Sequence, residues 1–157
     1  MNVILFGAPG SGKGTQADWI VKSHGLKHVS TGDILRKAVR DGSELGGKVE
    51  GILNAGELVS DAVMMDLIYE VISNISAEQG WLLDGFPRTE AQSKGLMKLL
   101  DEIDETVDFV IDIFVDNDEI VRRLSGRLTC EGCGYVGVAK NNLNNTCSKC
   151  SGSMRVR

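Results

Sequence analysis

The chain has 157 residues, 42% of them hydrophobic, enough for one buried core with small appendages. A net charge of −5 excludes broad binding to nucleic acid or a membrane surface, so any recognition of phosphate has to be local. No apolar run approaches membrane length and no secretory leader pattern opens the chain, so the expected location is the cytoplasm.

Val3-Ile4-Leu5-Phe6 predicts a strand buried on both faces, and Gly7-Ala8-Pro9-Gly10-Ser11-Gly12-Lys13-Gly14-Thr15 follows it directly. The glycines let the backbone turn back sharply and gather N–H groups in one concavity. A helix from about Gly12 adds its positive N-terminal end. Lys13 supplies a mobile cation that can follow charge onto a transferring phosphoryl group. Together these make a P-loop, a cradle for nucleotide phosphates. A Gly-rich turn that merely joins strand to helix is the bland alternative, and spacing, lysine and flanking elements all count against it. Gly14 follows Lys13 and the hydroxyl comes one position later, at Thr15, which leaves open whether the loop itself ligates magnesium.

The helix after the loop carries Ala17, Ile20 and Val21 on one face and ends at Gly25; Lys27–Ser30 suits a short second strand. Thr31-Gly32-Asp33 looks like a helix start, with Ile34, Leu35, Ala38 and Val39 at helical spacing and Gly42 as a stop. A second short helix, with Leu45, Val49, Ile52 and Leu53 on one face, stops at Gly56. Two small amphipathic helices bounded by glycines suggest a hinged flap. The apolar helix from Ser60 or Asp61 to about Ser73 is expected to lie against the sheet, its methionines filling core.

In Trp81-Leu82-Leu83-Asp84-Gly85-Phe86-Pro87-Arg88 an apolar strand ends in a carboxylate, with an arginine beyond the turn. A carboxylate at the carboxyl end of a strand beside a P-loop is where magnesium or its water shell would be held. Arg88 offers five fixed donors to a phosphate. An Asp capping the next turn and a surface Arg is the second reading. Gln92, four residues on, shares a face with Arg88 if the helix has begun by then. A helix through Leu96, Met97, Leu99 and Leu100 leads to the strand Phe109–Val115, and the alternation implies a parallel sheet with right-handed crossovers. The short helix from about Asn117 carries Arg122 and Arg123, with Arg127 four residues past Arg123. That spacing can present two guanidinium groups to a triphosphate, and suits a solvated basic helix end equally well.

All four cysteines fall in two CxxC knuckles, Cys130/Cys133 and Cys147/Cys150, separated by a gap of 13 residues. The pattern predicts one tetrahedral structural metal, best matched by zinc, rather than disulfides or unligated thiols. Tyr135–Val138 suits a strand and Asn141–Asn145 a polar turn.

The P-loop, Ser30-Thr31-Gly32-Asp33 and Asp84-Gly85-Phe86-Pro87-Arg88-Thr89, in that order and spacing, resemble adenylate kinase of the bacterial type with a zinc-binding lid. The resemblance covers the whole chain. It implies an α/β fold of the P-loop nucleoside monophosphate kinase class: a parallel sheet with helices on both faces, an AMP-binding flap and a zinc-ribbon-like lid. Residues 1–29 and 60–125 would form the core, 30–59 the flap and 126–157 a partial lid. The implied reaction is ATP + AMP ⇌ 2 ADP with magnesium, in nucleotide biosynthesis by a monomer with no nucleic-acid or membrane partner. Gly10, Ser11, Gly12, Lys13, Gly14 and Thr15 would hold the ATP phosphates, with Arg123 and Arg127 approaching the donor. Thr31, Arg36, the Glu57-Leu58-Val59 backbone, Gly85, Phe86, Pro87, Arg88 and Gln92 would hold AMP. Asp33 and Asp84 would hold magnesium through water, and Lys13, Arg88, Arg123 and Arg157 would act in catalysis. Phosphoryl transfer needs alignment and dispersed positive charge more than a base. Lid and flap closure would exclude water.

Members of that family continue past the lid through a returning strand and helices, so the resemblance also implies a fragment or a truncated variant, with a complete acceptor site and an incomplete donor side. The expected lid arginine falls at Arg157, and Phe109–Val115 would become an exposed edge. A nucleotide-binding but catalytically impaired fragment is therefore the runner-up. A kinase for another monophosphate follows, and a zinc-ribbon interaction module is the weakest reading, since it leaves the P-loop without a purpose.

Overall fold

The computed structural model describes residues 1–55, 59–76, 78–138 and 146–156. Four strands, β1 (Val3–Gly7), β2 (Lys27–Ser30), β3 (Trp81–Asp84) and β4 (Phe109–Ile113), form one sheet in the order β2-β3-β1-β4. Both neighbours of β3 run parallel to it, and the register sets Leu5 and Ser30 in one row with Asp84. Side chains alternate across the pleat. Ile4, Val29, Trp81 and Leu83 enter the main core, while Val3, Leu5 and Leu82 are buried on the opposite side.

Helices connect these strands. They are α1 (Lys13–His24), α2 (Thr31–Arg40), α3 (Glu44–Ala55), α4 (Asp61–Ser73), α5 (Glu90–Glu102) and α6 (Asn117–Ser125). The main core is filled by Met64, Leu67, Ile68 and Ile72 of α4 and by Leu96, Leu99 and Leu100 of α5, each set at helical spacing. α1 lies against β2 and β3 through a face that buries Ala17. Asn2, buried before β1, ties three segments together: Nδ2 donates to Glu105 Oε2 (2.6 Å) and the Thr106 carbonyl (2.8 Å), and Oδ1 accepts from Trp81 N (3.2 Å).

The chain divides into two compact units, one of Met1–Phe6 and Lys13–Asp112, the other of Gly7–Gly12 and Ile113–Arg157. The second holds the glycine loop, α6 and an antiparallel sheet of β5 (Arg127–Cys130), β6 (Val136–Val138) and β7 (Met154–Val156), ordered β6-β5-β7. Leu128, Cys130, Cys147 and Met154 form its small core.

Among the described residues the elements follow the sequence pattern except in two places. β4 ends at Ile113 rather than Val115, and lies at the sheet edge with Phe109, Val110 and Ile111 exposed. β5 and β7 have no clear periodicity in sequence; their pairing comes from the knuckles that flank them. Gly56 and Asn141–Asn145, read as a helix stop and a polar turn, lie outside the described residues.

In α3 two adjacent glycines have opposite surroundings. A β-carbon on Gly46 would collide with the backbone carbonyl of Ala38 in α2, whereas one on Gly47 would meet nothing within 4 Å. Gly46 therefore lets α2 and α3 approach backbone to backbone. Gly47→Ala should stabilise the protein by ~0.5–1 kcal/mol through helix propensity, and Gly46→Ala should destabilise it by about 1–3 kcal/mol through overpacking. Urea unfolding of both variants checks the difference; the same sign for both would contradict the close helix contact.

Candidate functional site

The glycine loop is built from its own backbone. Ser11 N–H donates to the Ala8 carbonyl (3.1 Å), and Gly10 and Gly12 sit at φ +84° and +102°, which only glycine adopts without strain. A β-carbon on Gly7 would fall 2.7 Å from Ser11 Oγ. Arg123 Nη1 donates to the carbonyls of Gly10 (3.4 Å) and Ser11 (3.2 Å). Because a trans peptide points its C=O and N–H oppositely, this turns the Gly12 N–H to the other side. Lys13 opens α1, and Gly14 and Thr15 are exposed in its first turn.

Arg123 is itself held. Its Nε donates to Glu119 Oε1 (2.7 Å), and the same carboxylate accepts from Arg122 Nε (2.7 Å) and Nη2 (2.8 Å). Hydrogen bonds from Arg122 and then Arg123 lower the Glu119 pKa to about 2. Arg127 opens β5, and Arg123 is clamped to Glu119, a helical i,i+4 partner that carries no signal in the spacing of the arginines.

In the other unit the polar groups gather at the carboxyl ends of β2 and β3. Ser30 Oγ accepts from Asp33 N (3.4 Å), capping α2, and Thr31 Oγ1 donates to the Gly85 carbonyl (3.3 Å). Arg88 Nε donates to that same carbonyl (2.7 Å). Arg36 pairs with Asp33 at 2.6 Å. Burial pushes the Asp33 pKa up, but Arg36, with Ser30 and His28, holds the carboxyl below its usual value. Asp84 Oδ2 lies 3.7 Å from His28 Nε2, too far for a hydrogen bond, and the buried Nε2 has none. Asp84 is the main cause of a raised His28 pKa, against the effect of burial and with help from Asp18 and Asp33.

Gln92 is only 3% exposed. The helix begins at Glu90 with Thr89 as its cap, so Arg88 and Gln92 do not share a helical face. They meet differently: Arg88 N–H donates to Gln92 Oε1 (2.7 Å), while Gln92 Nε2 donates to Asp61 Oδ1 (2.7 Å). Phe86 and Val59 are core residues, 0% and 7% exposed, and Pro87 is buried, so any nucleotide contact there would be through backbone. Glu57, Leu58 and Arg157 lie outside the described residues.

The four cysteine sulfurs lie within 4.8 Å of one another, with Cys130–Cys150 at 3.4 Å, Cys133–Cys147 at 3.6 Å and no disulfide. Tetrahedral Zn–S bonds require S···S separations of about 3.8 Å. The Cys133 N–H draws the Cys130 pKa down to about 6. Cys150 is pushed up to about 12: the Gly152 N–H favours its thiolate, but the crowding thiols of Cys133, Cys130 and Cys147 prevail. Four thiolates at this spacing repel one another until a cation joins them, so the donor set fits a soft divalent metal.

A family model described as adenylate kinase matches residues 5–151. The chain is 43% identical over 160 residues to the adenylate kinase of Geotalea daltonii, covering all of this chain and 75% of that protein. It is 42% identical over 163 residues to the adenylate kinase of Bacillus pumilus, covering all of this chain and 74% of that protein. With that of Staphylococcus aureus it shares 48% over 134 residues, 85% of this chain and 62% of the relative.

Proposed function

Since the chain belongs to the adenylate kinase family, we propose that it transfers the γ-phosphoryl group of ATP to AMP, giving two ADP, in the presence of magnesium. The observation that carries the acceptor half is the convergence of Thr31 and Arg88 on the Gly85 carbonyl, at the carboxyl end of a parallel strand, with Gln92 anchored beside Arg88. Ligands of open parallel sheets gather at such ends. Arg88 has its Nη groups left for a phosphate dianion, and a charge-assisted contact to phosphate is stronger than one to a neutral carbonyl. Arg36 would exchange Asp33 for the same phosphate.

On the donor side, Gly10–Thr15 with Lys13 would hold the ATP phosphates, and Arg123 would move from the loop carbonyls to donor charge. Arg127 and Arg157 belong to the same reading, as do the backbone contacts of Glu57, Leu58, Val59, Phe86 and Pro87. Residues 30–59 act as the AMP flap, and residues 126–157 belong to the lid. Oxygen donors suit magnesium, and Asp33 and Asp84, two of the three carboxylates that act on His28, would hold its water shell. The ion supplies neutralisation of developing phosphate charge. The proposed enzyme is monomeric and cytoplasmic, acting on free nucleotides; among the described residues no helix is long and apolar enough to cross a membrane.

Arg88→Ala should weaken AMP binding by about 1.5–3 kcal/mol while leaving adenosine, which lacks the phosphate, nearly unaffected. Calorimetry with both ligands reads this directly. Equal losses for both, or none for AMP, would remove Arg88 from the phosphate site.

The cysteine cluster is proposed to hold one structural zinc through Cys130, Cys133, Cys147 and Cys150. It would fold a unit whose core, among the described residues, is Leu128, Cys130, Cys147 and Met154 with Tyr135 packed against them. Elemental analysis of protein purified without chelator should find about one zinc per chain. A value well below that, in folded protein, counts against the site.

A further inference from the structure

Asp61 opens α4 but does not serve only as a helix-start residue. The preceding N-cap, Ser60, makes no side-chain capping bond, and the Asp61 carboxylate is turned to a different element. Oδ1 accepts from Gln92 Nε2 (2.7 Å) and Oδ2 accepts from Thr89 Oγ1 (3.0 Å). Thr89 Oγ1, having given its proton to Asp61, accepts from Gln92 N (3.1 Å). At the far side of the same amide, Gln92 Oε1 accepts from Arg88 N–H (2.7 Å).

These partners leave the Gln92 amide one orientation. A carboxylate only accepts and a backbone N–H only donates. Turning the amide over would set its oxygen against the Asp61 carboxylate and its NH2 against the Arg88 N–H, losing two hydrogen bonds in a side chain that is 3% exposed. What stays unassigned is one hydrogen on Nε2 and one lone pair on Oε1, in a fixed order. A 6-aminopurine offers an acceptor at N1 and a donor at its exocyclic nitrogen. A 6-oxopurine offers the reverse, a donor at N1 and an acceptor at O6. With ribose and phosphate holding the base in register, the fixed amide pairs with the first and opposes the second.

We propose that Asp61 is a positioning residue that fixes the sense of the Gln92 amide and thereby sets the preference of the acceptor site for AMP over a 6-oxopurine monophosphate. This rests on the reading that Gln92 meets the acceptor base. AMP and IMP differ only at the 6-position and N1, so their affinity ratio isolates the effect. General damage to the fold weakens both alike.

Asp61→Asn supplies an amide that can turn to match either sense of Gln92, and Asp61→Ser a hydroxyl that can do the same while suiting a helix start. The Arg88 N–H alone then still favours the present sense, so the preference is reduced rather than abolished. Calorimetric affinities for AMP and IMP should show the AMP:IMP ratio falling by about tenfold, the worth of one mismatched hydrogen bond, in whichever of the two variants folds. Thr89→Val, which removes a bond from the same carboxylate without freeing the amide, should keep the ratio of the unaltered protein. An unchanged ratio in a folded Asp61 variant that still binds AMP overturns the role of Asp61 and leaves Gln92 at the base. Equal binding of AMP and IMP by the unaltered protein overturns the assignment of Gln92 itself, and Asp61 with it.

Discussion

The parallel register of β2 and β1 on either side of β3 is the constraint on which the proposed acceptor site depends. It sets Leu5, Ser30 and Asp84 in one row, so the chain leaves two neighbouring strands at the same level. Immediately beyond that row come Thr31 from one strand and Gly85 from the other, and their contact is a direct consequence. A slip of one residue would reverse the faces of Leu82 and Leu83 and separate these groups. The buried side chains on both faces of β3 are what make such a slip costly.

A second theme is that the arginines are partnered in advance. Arg36 rests on Asp33, Arg88 on the Gly85 carbonyl, and Arg123 on Glu119 and the loop carbonyls. A guanidinium already held by a fixed group has lost part of its rotational freedom, so recruiting it to phosphate costs less order. Each present partner is a carbonyl or a single carboxylate, which a phosphate dianion can displace. Phosphoryl transfer asks for aligned positive charge of this kind rather than for a base. The His28 pKa is raised mainly by Asp84, one of the proposed magnesium carboxylates.

Much of this was legible in the sequence because the signals were local. The run Val3–Phe6 before the glycines, the helix start at Thr31-Gly32-Asp33, the apolar spacing of α4 and α5 and the two CxxC pairs each act within one or two turns of chain. The contacts that escaped were of a different kind. Asp61 and Gln92 stand 31 residues apart, and nothing at a helix start says that its carboxylate will reach another helix. β5 and β7 are short and flanked by cysteines, so pairing between them carries no period of its own. Phe86 reads as part of a nucleotide turn, and that its side chain also fills the core is visible only in its burial.

The central claim is that the phosphoryl group passes from ATP to a nucleotide held at the ends of β2 and β3, not to water. Phosphorus-31 exchange spectroscopy on the protein with ATP, AMP and magnesium follows that atom directly. The account predicts magnetisation exchange between the γ-phosphorus of ATP and the β-phosphorus of ADP. Transfer of the γ-phosphorus only to inorganic phosphate, with AMP unchanged, would contradict it.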